Sequence, residues 1–350
     1  PVQRAAALKP LPDPDMLVFG KTFTDHMFLM DYTAGQGWHD GRIVPYAPLA
    51  LEPSAMVFHY AQEVFEGLKA YRTEDGGIQL FRPLDNGRRL WNSCERMGLP
   101  QLPPEDFVEA VRTFVREEAP WVPGEANTSL YLRPFVFCTD VQLGVHGIRN
   151  ASFYIIASPV GSYYPHGLAP VHIAIEREDV RAVRGGTGYA KCGGNYAAAT
   201  RATVKAEKAG YDQVLWLDGV ERRYIEEVGA MNVMFKIGGK VVTPSLTGSI
   251  LPGITRSTCI TLLEEMGLGV EERRLDVAEL LDAAKSGTLE EAWGCGTAAV
   301  ISPIGSLSFD GADYPVSGGN IGPVSQKLYD TITGIQYGRL PDAHEWVMRV

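Results

Sequence analysis

The sequence has no apolar run long enough to span a bilayer, so neither a membrane-spanning helix nor a membrane partner is expected. It has no surplus of positive charge either. Its 32 Lys and Arg stand against 42 Asp and Glu, a net charge of −10. That balance argues against a nucleic-acid partner, whose recognition needs a basic face or stripe. A few local arginines can still hold a small anion, because a distant acidic surface is screened. Cysteine is sparse. Cys94, Cys138, Cys192, Cys259 and Cys295 are odd in number, widely spaced and without a C-x-x-C pair. This is the pattern of free thiols in a reducing compartment. The histidines form no H-x-H or H-x-x-x-H pair, so no metal site is expected. Residues 1–14 carry Pro10, Pro12 and Pro14 but no apolar stretch followed by a small-residue cleavage site. They read as an extended arm and not an export leader, which makes a cytoplasmic location the expectation. Internal repeats and low-complexity tracts are also lacking.

What is present is a chain of 350 residues, long for one hydrophobic core, which favours two domains. The first part reads mainly as strands and turns, with apolar runs at 27–30 and 56–60. The runs 68–71 and 78–81 flank Glu74-Asp75-Gly76-Gly77 as a hairpin. Helices are expected over 88–97, closed by Gly98 and Pro100, and over 104–118, where Phe107, Val111, Phe114 and Val115 fall on one face. Buried strands follow at 130–138 and 152–158. Residues 159–170 break the pattern with Gly161, Pro165, Gly167 and Pro170. The expected division is a small N-terminal α/β domain over 1–160, an interdomain loop over 161–170, and a larger α/β domain over 171–350. In the second domain a strand at 171–176 precedes an alanine-rich helix over 195–208, a strand at 213–217 and a hairpin of 232–237 with 240–243. Helices are expected over 254–266 and after Asp276-x-x-Glu279, a capping-box-like start. Strands at 291–295 and 298–302 flank a Gly-rich turn. The elements lack a regular βαβ rhythm, so the fold class is α+β built of two α/β domains.

Several segments carry candidate chemistry. Gly185, Gly186, Gly188, Gly193 and Gly194 crowd around Lys191. Glycine crowding signals left-handed backbone or close backbone approach, and a lysine on such a stretch, if desolvated, is a usable amine nucleophile. Taken alone, the segment reads more readily as a surface loop with a solvated lysine. Pro252-Gly253 opens a helix whose N-terminus suits a phosphate. Gly294-Cys295-Gly296-Thr297-Ala298-Ala299 matches G-x-G-x-x-A, but Val300-Ile301-Ser302-Pro303 after it forbids the helix that a dinucleotide site requires. A tight turn presenting N–H groups and the Thr297 hydroxyl to an anion is the alternative. Arg82, Arg88 and Arg89 offer guanidinium forks for a phosphate, or a solvated helix face. Glu226-Glu227 runs into Val228-Gly229-Ala230, where a buried carboxylate needs a cationic or hydrogen-bonding partner. Arg133, between Leu132 and Pro134, needs an anion if buried.

The strings FEGLKAYR (65–72), FRP with RRL (81–90), YLRP (131–134), KCGGNYAAA (191–199), EEVGAMN (226–232), LPGITR (251–256) and GCGTAA (294–299) occur in an order that resembles the branched-chain aminotransferases of pyridoxal-phosphate (PLP) fold type IV. The likeness runs from about residue 60 to about 302. It implies two α/β domains with the PLP cofactor between them, and a homodimer. It implies that Lys191 is the catalytic, cofactor-binding Schiff-base lysine and also carries the proton between substrate Cα and the cofactor. By the same likeness Tyr196 bonds the cofactor's phenolic oxygen and Glu227 keeps the pyridine nitrogen protonated. Arg89, Ile254, Thr255 and Thr297 hold the phosphate. Tyr60, Arg133, Ala298 and Ala299 take substrate carboxylates. Phe65, Tyr163 and Val145 line the aliphatic pocket, Val145 reaching in from the partner subunit.

Two departures stand out. Mammalian members carry a C-x-x-C redox pair just after the turn, where this chain has Ala299 and Ser302, so no thiol switch is expected there. Some members have threonine where this chain has Ala230, which removes one hydroxyl. The implied reaction is a transamination in which leucine, isoleucine or valine leaves as a 2-oxo acid and 2-oxoglutarate leaves as glutamate, in branched-chain amino acid biosynthesis or degradation. Arg133 beside apolar walls is one way to admit both side chains. The rivals are a D-amino acid aminotransferase or an aminodeoxychorismate lyase of the same fold, and a non-catalytic phosphometabolite-binding protein.

Overall fold

The computed structural model describes residues 1–161 and 168–350. In chain order the first strands are β1 (His26–Thr33), β2 (Gly37–Pro45), β3 (Glu63–Phe65), β4 (Leu68–Arg72), β5 (Ile78–Phe81), β6 (Ser129–Cys138) and β7 (Asn150–Val160). Then come β8 (Val171–Ile175), β9 (Gln213–Leu217), β10 (Ile225–Val228), β11 (Met231–Ile237), β12 (Lys240–Pro244) and β13 (Val270–Arg273). The last are β14 (Leu289–Gly296), β15 (Val300–Phe309), β16 (Ala312–Pro315) and β17 (Val347–Arg349). The helices are α1 (Met56–Tyr60), α2 (Pro83–Met97), α3 (Pro104–Glu117), α4 (Gly193–Lys208), α5 (Ile254–Glu265), α6 (Val277–Ser286) and α7 (Pro323–Gln336).

The chain divides into two units. The first comprises the described residues of Pro1–Pro165 together with Ala190–Gly193 and Gly334–Val350, and the second comprises the rest. The reading from sequence runs the second domain unbroken to residue 350. Two short stretches return instead to the first unit, for visible reasons. Ala190 and Cys192 are buried in its core, and β17 pairs with β5 at its sheet edge. Residues 162–167 of the expected interdomain loop lie outside the described residues.

The first unit is built on a sheet in the order β17-β5-β4-β6-β7-β1-β2, with β3 beside β6. Every pairing in it is antiparallel. Period-two alternation places Leu130, Leu132 and Val136 of β6 in the core with Phe153 and Ile155 of β7. Helix α3 meets them with Phe107, Val111, Phe114 and Val115, the apolar face expected from its spacing. Emptying one such position, as in Phe114→Ala, would cost about 3–5 kcal/mol. The opposite residues of β6, among them Tyr131 and Arg133, face away from that core and carry the candidate chemistry.

In the second unit the order is β10-β9-β8-β15-β14-β11-β12-β13, with β16 on β15. β10 also pairs with β11, so β10, β9, β8, β15, β14 and β11 close into a ring. β8 runs parallel to β9 and to β15, and β12 to β13, while the other pairings are antiparallel. That mixture accounts for the missing βαβ rhythm. Helix α4 is covered by its small face, Ala202 and Ala206 packing on Val214 and Trp216.

Some local expectations need correction. Residues 56–60 form helix α1 and not a strand; a five-residue apolar run is too short for its period to decide. Asp276 does cap α6, accepting from Ala278 N, but Glu279 pairs with Arg273 and does not return to the cap. G-x-G-x-x-A indeed leads into a strand, β15, with Val300 at φ 62° closing the turn. All five cysteines are free and buried.

Candidate active site

The first unit gathers one group of candidate residues. Lys191 is fixed by its backbone: its N–H donates to Ser93 Oγ at 2.9 Å, and its carbonyl accepts from Phe65 N at 2.9 Å. Its Nζ stands 4.9 Å from the centre of the Phe65 ring. The Arg133 guanidinium lies 4.7 Å from the centre of the same ring and donates to Tyr131 Oη at 3.2 Å. Two cations therefore share one aromatic ring, a contact that stabilises each by about 0.5–2 kcal/mol. The buried Arg133 Nε finds no hydrogen-bond partner among the described residues.

Gly193 explains part of the glycine crowding. Its N–H donates to Glu63 Oε1, and a Cβ there would sit 2.3 Å from that oxygen. Gly188 is as constrained in the second unit, where a Cβ would lie 2.1 Å from the Ser249 carbonyl oxygen. The glycines allow close approach, as expected, and what approaches is the protein itself.

Arg89 is buried and forked onto Glu66, with Nε–Oε1 at 2.7 Å and an Nη2 bond to Oε2 at 2.8 Å. Glu66 is fully buried and also accepts from Asn86 Nδ2 at 2.7 Å. Burial would raise its carboxyl, but the charge and hydrogen bonds of Arg89, with the charge of Lys191, hold it below its ordinary value. Arg82 is engaged with Asp85 at 2.8 Å, and Arg88 is exposed. Tyr60 is partly exposed, and its Oη accepts from Gly144 N at 2.9 Å. Val145 lies next in that loop, 72% exposed. Tyr163 lies outside the described residues.

The second unit gathers the other group. Adjacent residues of a strand face opposite ways, and so Glu226 and Glu227 of β10 line different cavities. Glu226 borders a small one of about 130 Å³, bonded to Ser249 Oγ; burial raises its carboxyl despite that bond. Glu227 borders a cavity of about 370 Å³, together with Tyr196, Asn195, Arg181, Ala230 and Leu251. That volume lies within the range of small-molecule sites. The Glu227 carboxylate accepts from Arg181 Nε at 2.8 Å and from Leu251 N at 2.9 Å. Leu251 leads into Pro252-Gly253 and helix α5, which Gly253 caps without a side chain. A Cβ on Gly253 would lie 1.9 Å from Asn232 Oδ1, so the approach to Ile254 and Thr255 is cradled closely. Thr297, Ala298 and Ala299 form the turn between β14 and β15.

Several polar partners escaped the reading from sequence: Glu63, Glu66, Ser93 and Arg181. Glu66 had a signal, a carboxylate set between Phe65 and Gly67 in the short link from β3 to β4. Arg181 had none, since one arginine in a charged stretch reads as solvated.

The class IV amino-transferase family matches residues 63–307. Branched-chain-amino-acid aminotransferase 2 of Bacillus subtilis (strain 168) is 52% identical over 349 residues, covering 100% of this chain and 96% of its own. The crystal structure of the Escherichia coli branched-chain amino acid aminotransferase superposes with a TM-score of 0.77 at 28% identity, covering 92% of this chain and 98% of its own. The branched-chain amino acid aminotransferase from Thermobaculum terrenum, in its PLP form, gives a TM-score of 0.74 at 26% identity, covering 92% of this chain and 97% of its own. The chain belongs to the class IV aminotransferases. Within that class the relatives just described are all branched-chain aminotransferases.

Proposed function

We propose that the chain is a PLP-dependent branched-chain-amino-acid aminotransferase, moving the amino group of L-leucine, L-isoleucine or L-valine to 2-oxoglutarate. The observation that carries this reading is the 52% identity, over the whole chain, to an enzyme of that name. The residues present fit the cofactor. A cavity of about 370 Å³ presents a buried carboxylate, Glu227, beside a phenol, Tyr196, with Leu251 on its wall.

PLP, when bound, supplies an electron sink for the bonding electrons of the substrate Cα–H bond. Lys191 would hold it through Nζ and would move the proton at substrate Cα on that same nitrogen. Glu227 keeps a proton on the pyridine nitrogen, and Arg181 fixes that carboxylate in turn. Tyr196 bonds the phenolic oxygen. Arg89, Ile254, Thr255 and Thr297 hold the phosphate through charge and helix-terminal or turn N–H groups. Tyr60, Arg133 and the N–H groups of Ala298 and Ala299 would bind carboxylates, and Phe65 and Val145 would wall the aliphatic side chain.

The protein is proposed to act as a homodimer in the cytoplasm. Val141, Leu143 and Val145 stand exposed together in one loop, which supports a partner there. Buried free thiols support a reducing compartment. The test is an assay of leucine with 2-oxoglutarate against one of D-alanine with 2-oxoglutarate. Turnover with leucine alone is expected; turnover with D-alanine alone would overturn the reading.

A further inference from the structure

Glu63 has no role in the account so far, yet it lies on the same sheet face as Arg133. It opens β3, which pairs with β6 so that Glu63 lies opposite Phe137 and Phe65 opposite Phe135. Its carboxylate is held by Gly193 N, two residues after Lys191. Arg133 acts on it electrostatically. The titratable side chains on the neighbouring elements are Arg133, Tyr131 and Cys138 of β6, Lys191 and Cys192 of the 190–193 segment, and His59 and Tyr60 of α1. Among these, Arg133 is the cation whose charge pulls the Glu63 carboxyl down.

An arginine that meets both aliphatic and acidic substrates faces a problem. Beside an aliphatic chain its charge is left uncompensated, which is costly where the guanidinium is cut off from water. Beside a carboxylate, a resident counter-ion competes with the substrate. We propose that Glu63 is a specificity-determining acid: ionised, it balances Arg133 while an aliphatic substrate is bound, and it takes up a solvent proton when a second substrate carboxylate engages Arg133. The inference rests on the reading of Arg133 as a carboxylate-binding residue. Burial already pushes the Glu63 carboxyl above its ordinary range, against the pull of the Gly193 N–H and Arg133. An arriving carboxylate removes part of that pull and raises it further. Glutamine in its place keeps an acceptor for Gly193 N–H but removes the charge.

The sign follows from linkage. Above the pKa of the free site, dicarboxylate binding must first draw a proton, and KM for 2-oxoglutarate rises with pH by up to about tenfold per unit. It levels off at the higher pKa of the occupied site. KM for leucine lacks this term.

The test compares KM for 2-oxoglutarate and for leucine in the native enzyme and in Glu63→Gln, from about pH 5 to about pH 9. The slope is expected with 2-oxoglutarate in the native enzyme only, and the variant is expected to bind 2-oxoglutarate more tightly at the alkaline end. A calorimetric titration of the PLP-loaded enzyme with glutarate, in buffers of different ionisation enthalpy, reads the proton directly. Uptake is expected with glutarate and not with 4-methylvalerate, and is lost in Glu63→Gln. A flat native profile, or a slope or uptake that survives Glu63→Gln, would overturn the inference. Glu63-dependent uptake in a protein that fails to transaminate leucine would support it while sinking the assigned reaction.

Discussion

Arg181 donates through Nε to Glu227 Oε2 across 2.8 Å, with both side chains almost wholly buried. Two backbone carbonyls, Ser249 at 3.0 Å and Gly188 at 3.2 Å, hold the rest of the guanidinium. The carboxylate assigned to the cofactor nitrogen is thus oriented by a charge that itself cannot turn. Such second partners typically contribute 10–100-fold to the groups they orient. Arg181→Met is expected to weaken PLP binding by at least about tenfold and to shift the absorption band of the bound cofactor, with Arg181→Lys recovering part of both. An unchanged affinity and spectrum in Arg181→Met would show that Glu227 needs no such support.

Glu66 and Arg89 are coupled in the same way in the first unit, and here stability is the readout. Removing one partner leaves the other charge buried, at a cost of about 3–5 kcal/mol. Glu66→Ala is expected to lose that much in chemical denaturation at neutral pH. Because the folded state holds the Glu66 carboxyl below its ordinary value, its contribution is present above the unfolded pKa of about 4.3 and is lost as pH falls through the folded value. The gap between native and variant should therefore close in acid. A gap that stays constant down to about pH 3 would contradict this.

Much of this was legible in the sequence, and the part that was not has physical causes. The β4–β5 hairpin, α3 and the β14–β15 turn follow from alternation, helical spacing and glycine placement. Helix α7 and strands β2, β3, β10, β13, β16 and β17 were not read. Gly37–Pro45 carries Asp40 and Gly41 mid-strand and does not alternate cleanly. A three-residue strand such as β17 is defined by its partner β5 and has no period of its own. Among site residues, Lys191, Glu227 and Arg133 announced themselves as polar groups in small or apolar surroundings. Glu63 and Arg181 did not, because what distinguishes them is a partner distant in sequence.

Lys69 gives a second stability prediction. Burial in β4 pulls its ammonium down to about 8. Above that value and up to the ordinary lysine pKa of about 10.4, the unfolded chain binds more protons, so stability rises with pH across this window. Below it the penalty of the buried charge is constant. Lys69→Met is expected to remove this rise in stability between about pH 8 and about pH 10, read from chemical denaturation of both proteins across that range. A rise of the same size in Lys69→Met would contradict this.

The loop bearing Val141, Leu143 and Val145 tests the assembly. These side chains are 60%, 69% and 72% exposed, an apolar cluster of the kind a partner covers. Replacing Leu143 and Val145 together with aspartate is expected to weaken self-association at least tenfold in sedimentation velocity and to raise KM for leucine. Unchanged sedimentation would place the dimer contact elsewhere.

Lys191 remains the centre of the account. It stands beside the Phe65 ring that Arg133 also covers, and in the proposed function its Nζ carries the cofactor. The direct measurement is borohydride reduction of the PLP-loaded protein, followed by mass spectrometry of its peptides. The account predicts one phosphopyridoxyl adduct, on Lys191, absent from Lys191→Ala. A stoichiometric adduct on any other lysine, or none on a protein that transaminates leucine, would contradict it.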